Sequence, residues 1–549
     1  MKKKVMALLL TAAVTTSLLA GCGSKEDSSN TNVASVPKTE NTTETQKESV
    51  ETVKKDPVTL TYWYRNNVGE QEYTQQVEDK LNEILAATEG YEHITIDLHP
   101  CKDYQTDLSL ALTAGEQIDI ISLPGAGSEA EIVSDGVLVA LDDYLAANPE
   151  ISAELPDWLM DMGKFDGTTY YVPNYQQASN QMFCFMNKEV FEATGYNYDE
   201  VQQAFYNKDQ TYLIKFAEDA LVAAKATIKK DHPDTTYINP ILLGNVNSYV
   251  ECGQSGFPSI SGKAKFYWDF DAEEIKFSDS REDVRAGFLQ NAKWYMEGLI
   301  PPDQMTNPET YNNGFLGEYS VIFNYAQSFG TPDMVAASRN ASESNLQKDG
   351  EVIVWALDDH NVIGLRNAAQ GVGVSATSKN PEDAANFLAL LFNSKYEEFY
   401  NTLCYGLEGI HYNVISDGKI ETTEFQGTQG GADTTYCYWK WVGGNTFNAW
   451  LNQSMTQEQE DYILNDLNES SDTFVVPVAG MVVDTQPIDT ELTQLKSICA
   501  EYRDAAASGI KGADEEAYLS EYLDKMEAAG LSKVLEELNA QAKAYLSSK

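Results

Sequence analysis

The feature that most constrains this chain is an alternation of strand and helix signals between residues 58 and 121. Val58-Thr59-Leu60-Thr61-Tyr62-Trp63-Tyr64 is β-branched and aromatic and follows a proline, which predicts a buried strand. Val77, Leu81, Ile84 and Leu85 then keep a 3.6-residue period that ends near Gly90, which predicts an amphipathic helix. Residues 93–98 alternate as a second strand, a helix is expected from Tyr104 to Ala114, and residues 118–121 supply a third, short strand. A β-α-β-α-β run of this kind builds a parallel sheet, whose ligand-binding loops lie at the carboxyl ends of the strands. Here those loops are residues 65–69 and 122–127. With 549 residues the chain is too long for one core, so at least two lobes are expected.

Ahead of this body lies an address. Lys2, Lys3 and Lys4 precede an apolar run from Val5 to Leu19, too short to span a bilayer of ~30 Å comfortably. Such a segment reads as a secretory signal peptide, and its end, Leu19-Ala20-Gly21-Cys22, resembles the lipobox of bacterial lipoproteins. That resemblance implies acylation of Cys22 after removal of residues 1–21. Residues 22–56 are rich in Ser, Thr, Asn, Glu and Lys and hold almost no large apolar side chain, so they read as a disordered tether. The expected location is the extracytoplasmic face of the cell membrane, held by the acyl chain.

Charge excludes one class of partner. Lys and Arg number 38 against 84 Asp and Glu, a net charge of −46, which repels phosphate backbones, so no nucleic-acid partner is expected. Beyond Cys22, the cysteines 101, 184, 252, 404, 437 and 499 form no CxxC and no metal-type spacing with the five histidines. They read as buried free thiols, although export would permit a disulfide, and neither a metal nor a cofactor is expected.

Beyond the first sheet, collinear segments carry a resemblance. Ala114-Gly115-Glu116 before Ile118-Asp119-Ile120, then Leu138-Val139-Ala140-Leu141-Asp142 and Gly167-Thr168-Thr169-Tyr170-Tyr171-Val172-Pro173, resemble the extracellular solute-binding proteins of sugar-type ABC importers. Residues 315–323 are similar to the family's second crossing between lobes, and Gly373-Val374-Ser375-Ala376-Thr377-Ser378-Lys379-Asn380-Pro381 to its third. The likeness covers most of residues 57–400. After that, residues 405–412, 441–445 and the closing helices resemble the subset of these lipoproteins with an extended C-terminal region. The resemblance implies an α/β fold of the two-lobed periplasmic-binding-protein type, with a hinge, a ligand cleft and extra C-terminal helices. It implies an N-terminal lobe of residues 57–174 and 325–366 and a C-terminal lobe of 178–321 and 374–549. A monomer is expected, capturing a sugar or oligosaccharide by closing its lobes and handing it to the permease of an ABC importer.

A saccharide site needs aromatic plates and fixed polar groups. Trp63, Tyr64, Arg65, Asn66 and Asn67 lie at the first strand's carboxyl end, and Tyr64, Arg65 and Asn67 are candidates there; Trp63 reads equally as core. Gln176 and Gln177 fall on the first crossing, and Tyr325 and Gln327 follow the second. Trp439, Trp441 and Asn445 belong to the densest aromatic cluster, which Trp450 closes, and that cluster reads as a ring-stacking loop or as a patch over the core. Trp268 favours core packing. Asp358, Asp359 and Arg366 read as ligand contacts or as a hinge ion pair. The rivals are a peptide or other small-solute receptor and a tethered glycoside hydrolase. The hydrolase would need two carboxylates ~5–10 Å apart, for which the sequence offers no positive sign. No GxSxG, HExxH or P-loop occurs, so no enzyme is expected. Asp269-Phe270-Asp271-Ala272-Glu273 imitates half a calcium loop.

Overall fold

The architecture comes from a computed structural model. It describes residues 55–123, 129–165, 167–177, 181–227, 264–300, 303, 324–328, 330–341, 351–357, 359, 361–363, 370–425, 435–452, 455–468, 473–478, 481 and 483–548. Residues 55–549 form one compact unit. Cys22, the tether up to residue 54, the 315–323 segment, Cys252, Asp358 and Arg366 lie outside the described residues.

The chain begins as expected, with β1 (Val58–Arg65), α1 (Thr74–Ala87), β2 (Ile94–Cys101), α2 (Tyr104–Ala114) and β3 (Ile120–Ser122). Period-two burial in β1 turns Leu60, Tyr62 and Tyr64 inward, and α1 buries the stripe Val77, Leu81, Ile84 and Leu85. β2 and β3 flank β1 in parallel. β4 (Tyr171–Pro173) closes this part of the chain.

A second set of elements follows: β5 (Gln181–Asn187), α3 (Lys188–Thr194), α4 (Tyr198–Tyr206) and α5 (Gln210–Thr227). The Asn187 side chain starts α3 by accepting the Val190 N–H at 3.0 Å. Then come the hairpin β6 (Phe266–Asp269) and β7 (Glu274–Phe277), and α6 (Glu282–Met296). β8 (Asn324–Ser328), β9 (Val352–Ala356) and β10 (Gly371–Val374) complete the strands that matter here, followed by α7 (Glu397–Tyr405). Three helices end the chain, α8 (Asp489–Ala507), α9 (Glu515–Ala528) and α10 (Leu531–Ser548).

Two sheets organise these elements. The first has the order β2-β1-β3-β10-β4, with β10 antiparallel to both of its neighbours. The second places β5 between β8 and β9, both antiparallel to it. β5 is buried on two faces: Phe183 and Phe185 pack with Val335, Val352 and Val354, while Cys184 and Met186 pack with Val190, Phe216 and Trp355. The strands inside 325–366, expected with residues 57–174, therefore pair with β5, and residues 371–374 return to the first sheet. The cause is complementarity, since β9 presents Val352 and Val354 on one face and Trp355 on the other, matching the two faces of β5.

The C-terminal helices bury Ile488, Leu492, Leu495, Cys499, Tyr502, Leu519, Tyr522 and Met526, with Ile498, Tyr518 and Leu523 half-buried. They are fastened to the middle of the chain by polar contacts. Asp279, 1 % exposed, accepts from Arg503 Nε at 3.0 Å and from the Tyr522 hydroxyl at 2.9 Å. Asn539 pairs with both backbone groups of Ile275, at 2.7 and 2.9 Å. Trp268 is buried. Cys101, Cys184, Cys404, Cys437 and Cys499 are buried free thiols. Among the described residues no helix is long and apolar enough to cross a membrane.

Candidate functional site

β1 ends in Arg65, which is exposed, and the chain turns through Asn66, whose Oδ1 accepts the Val68 N–H at 3.0 Å. This Asx turn leaves the Asn66 Nδ2 free to donate to the Cys437 carbonyl at 2.8 Å. Gln71 completes the grip, its Oε1 accepting the Cys437 N–H at 2.8 Å. Residues 435–446 thus form a strap tied by side-chain amides to the carboxyl end of β1.

Alternation along the strap assigns its side chains. Tyr436 and Tyr438 turn into the core, where the Tyr438 hydroxyl meets that of Tyr62 at 2.8 Å and donates to the Gly443 carbonyl at 3.0 Å. Cys437, which is buried, and Trp439, half-buried against the edge of the same core, line a shallow open recess with Arg65, Asn66 and Asn67. Glycine is required where the strap turns back. A Cβ on Gly443 would stand 2.6 Å from the Tyr62 hydroxyl oxygen and 2.7 Å from Val372 Cγ2.

The recess combines one indole, one guanidinium and two amides. Among the described residues no carboxylate comes within ion-pair distance of Arg65, in a chain where acids outnumber bases about twofold. Trp63 lies on the face of β1 opposite Tyr62 and Tyr64, the face that Arg65 shares, and is stacked on His99 with ring centroids 4.9 Å apart.

Of the residues singled out from the sequence, Arg65, Asn67 and Trp439 meet in this recess. Tyr64 does not. It is 1 % exposed, packed between Tyr62 and Tyr438 at 5.3 and 5.0 Å, and burial drives its phenol pKa well up, so it is a core residue rather than a cleft residue. Asn445 is buried and caps a short turn by accepting the Phe447 N–H at 3.1 Å. Gln176 and Gln177 are buried on the first connection between the sheets. Trp441 is half-buried, with Lys440 Nζ 5.4 Å from its ring centroid. Tyr325 and Gln327 stand in β8 in register with Cys184 and Met182. Asp359 is exposed. Asn66 and Cys437 are lining residues that sequence reasoning did not select; the Asn66-Asn67 pair at a strand end was a turn signal that pointed toward the first of them.

The calcium-like loop is an ordinary hairpin turn. Asp269 Oδ1 accepts the N–H groups of Asp271 and Ala272, and Lys276 Nζ lies 3.0 Å from Oδ2, where a cation would have to sit. No cluster of metal-ligand type occurs among the described residues.

The model of the bacterial extracellular solute-binding protein family matches residues 73–398, more than half of the chain. The chain belongs to that family. A second match, to a domain of unknown function (DUF3502), covers residues 477–547 and hence the three closing helices. No curated protein matches the chain. Among solved structures, the N-glycan transport solute-binding protein NgtS of Streptococcus pneumoniae is similar over 90 % of this chain and 99 % of its own, with TM-score 0.66 and 16 % identity. An HMO-binding solute-binding protein of Bifidobacterium longum infantis covers the same shares at TM-score 0.60 and 15 % identity. The substrate-binding protein FusA of Streptococcus pneumoniae, crystallised with kestose, covers 90 % and 100 % at TM-score 0.51 and 14 % identity. At these identities the likeness is one of fold: an α/β solute-binding protein carrying extra C-terminal helices.

Proposed function

We propose that this solute-binding protein is the lipid-anchored receptor of an ABC importer and that it captures a sugar or oligosaccharide. The observation that carries the reading is the recess at the carboxyl end of β1, where Trp439 supplies an apolar ring face and Arg65, Asn66 and Asn67 supply polar groups at its rim. A sugar ring has the matching pair of surfaces, C–H faces and a hydroxyl edge. Three solved neighbours whose names refer to N-glycan, HMO and kestose lend this reading support. Among the described residues the lining holds no carboxylate, whereas glycoside hydrolysis uses two, which favours capture over cleavage.

In this reading one lobe is built on each sheet. A ligand touching both lobes favours the closed arrangement by its differential affinity. Tyr325 and Gln327, on β8, are the proposed contribution of the second sheet. Cys22 is the proposed acylation site, holding a monomeric receptor beside its permease on the extracytoplasmic face. Intrinsic-fluorescence titration with di- to pentasaccharides tests the capture. Binding by the native protein, weakened about tenfold or more in Trp439→Ala, is the expected result. Equal affinities would remove the recess from the site. For the anchor, Cys22→Ser should move the protein from the membrane fraction to the medium, and retention of the variant would contradict acylation there.

A further inference from the structure

Asn174, the first residue after β4, is completely buried and contacts the strap with both ends of its side chain. Its Nδ2 donates to the Trp441 carbonyl at 2.9 Å, and its Oδ1 accepts the Gly444 N–H at 3.0 Å. Its backbone N–H donates at 2.9 Å to the carbonyl of Gln370, the residue that leads into β10. Tyr175 extends the junction, donating its N–H to the Gly444 carbonyl at 3.1 Å and accepting the Thr446 N–H at 2.8 Å. Chain leaving the first sheet, chain returning to it and the strap therefore meet at one residue, the strap through its side chain and the returning chain through its backbone.

Trp439 sits between two amide anchors. On one side Cys437 is held by Asn66 and Gln71, and on the other Trp441 and Gly444 are held by Asn174. With a single residue separating Trp439 from each of Cys437 and Trp441, a displacement at the Asn174 anchor would turn the Trp439 ring relative to Arg65 and Asn67. We propose that Asn174 is a positioning residue that couples the recess to the connections between the sheets, so that occupancy at Trp439 and the arrangement of those connections form one equilibrium. This rests on the capture reading above.

Amide hydrogen exchange of the full chain without ligand tests it, comparing Asn174→Ala with Asn401→Ala. Asn401 is an equally buried control. Its Nδ2 donates to the carbonyls of Glu397 and Asn448, both at 2.9 Å, and its Oδ1 accepts the Trp450 N–H at 2.6 Å, away from the two connections. In Asn174→Ala, exchange should accelerate about tenfold or more in residues 371–374 as well as in 441–446, while Asn401→Ala leaves 371–374 at native rates. Acceleration confined to 441–446, or the same pattern in both variants, would reduce Asn174 to a local structural contact and overturn the coupling. If Asn174→Ala does not fold, Asn174→Asp keeps the acceptor for Gly444, loses the donor to Trp441 and carries the same comparison. A saccharide panel run on the same proteins separates the two claims. A coupled exchange pattern with no saccharide response sinks the capture reading and leaves the coupling standing; a saccharide response with uncoupled exchange does the reverse.

Discussion

Glu515 is 1 % exposed at the start of α9, and burial raises its pKa to about 8 against the opposing pull of the Lys511 backbone N–H and ammonium. The folded protein keeps a proton that the unfolded chain releases near 4.5. The stabilisation is complete below pH 4.5 and is lost as the pH rises through 8. Glu515→Gln should therefore be more stable than the native protein at pH 8, by on the order of 3 kcal/mol in urea unfolding, with the gap closing toward pH 4.5. Parallel pH profiles would contradict this. His411 acts in the opposite sense, since burial lowers its pKa from 6.5 to about 4 while its neutral Nδ1 accepts the Leu407 N–H at 2.9 Å. Its contribution is present above pH 6.5 and lost as the pH falls through 4, so His411→Gln should flatten that acid limb. An unchanged limb would assign acid sensitivity elsewhere. Single residues were partly legible in the sequence. The period of two that buries Leu60 and Tyr62 also buries Tyr64 and exposes Arg65, so the strand pattern itself separated a core tyrosine from a rim arginine. Nothing local marked Cys437, whose place depends on amides from residues 66 and 71.

At the scale of elements, hydrophobic stripes were readable and their docking was not. The periods of α8 and α9 were plain in the sequence, but their contact with Asp279 bridges more than 200 positions and leaves no periodic trace. Asp279 and Arg503 form a buried ion pair, with side chains 1 and 14 % exposed. Asp279→Asn leaves the guanidinium uncompensated and should cost about 3 kcal/mol or more, whereas Asp279→Leu combined with Arg503→Met should recover most of that loss. Urea unfolding of the single and double variants checks this; a double variant no more stable than the single would show that the pair contributes more than it costs to bury. The second sheet has the same lesson in another form. β5 and β9 carry apolar residues at successive positions and β8 is mostly polar, so no alternation marks their partners, and the pairing of β9 with β5 follows from how the two faces of each fit together.

At the scale of the whole molecule, fold class and family were legible because strands, helices and glycine turns kept their order along the chain. The recess was legible only in part, since Arg65 and Asn67 come from the end of the first strand and the turn after it, and Trp439 from a strap about 370 positions later. The proposed capture of a polar, ring-bearing solute rests on an arginine that has no carboxylate within ion-pair distance among the described residues and stands at the rim of a recess with one indole. The most direct test of that claim is the melting temperature of residues 55–549 against mono- and oligosaccharides, with short peptides alongside. A ligand that binds only the folded form stabilises it by RT ln(1 + [L]/Kd), about 2.7 kcal/mol at a hundredfold excess over Kd. The expected result is a rise with a saccharide that Arg65→Ala and Trp439→Ala both blunt. A rise with peptides alone, or no rise together with release of reducing ends from a polysaccharide, would contradict the account.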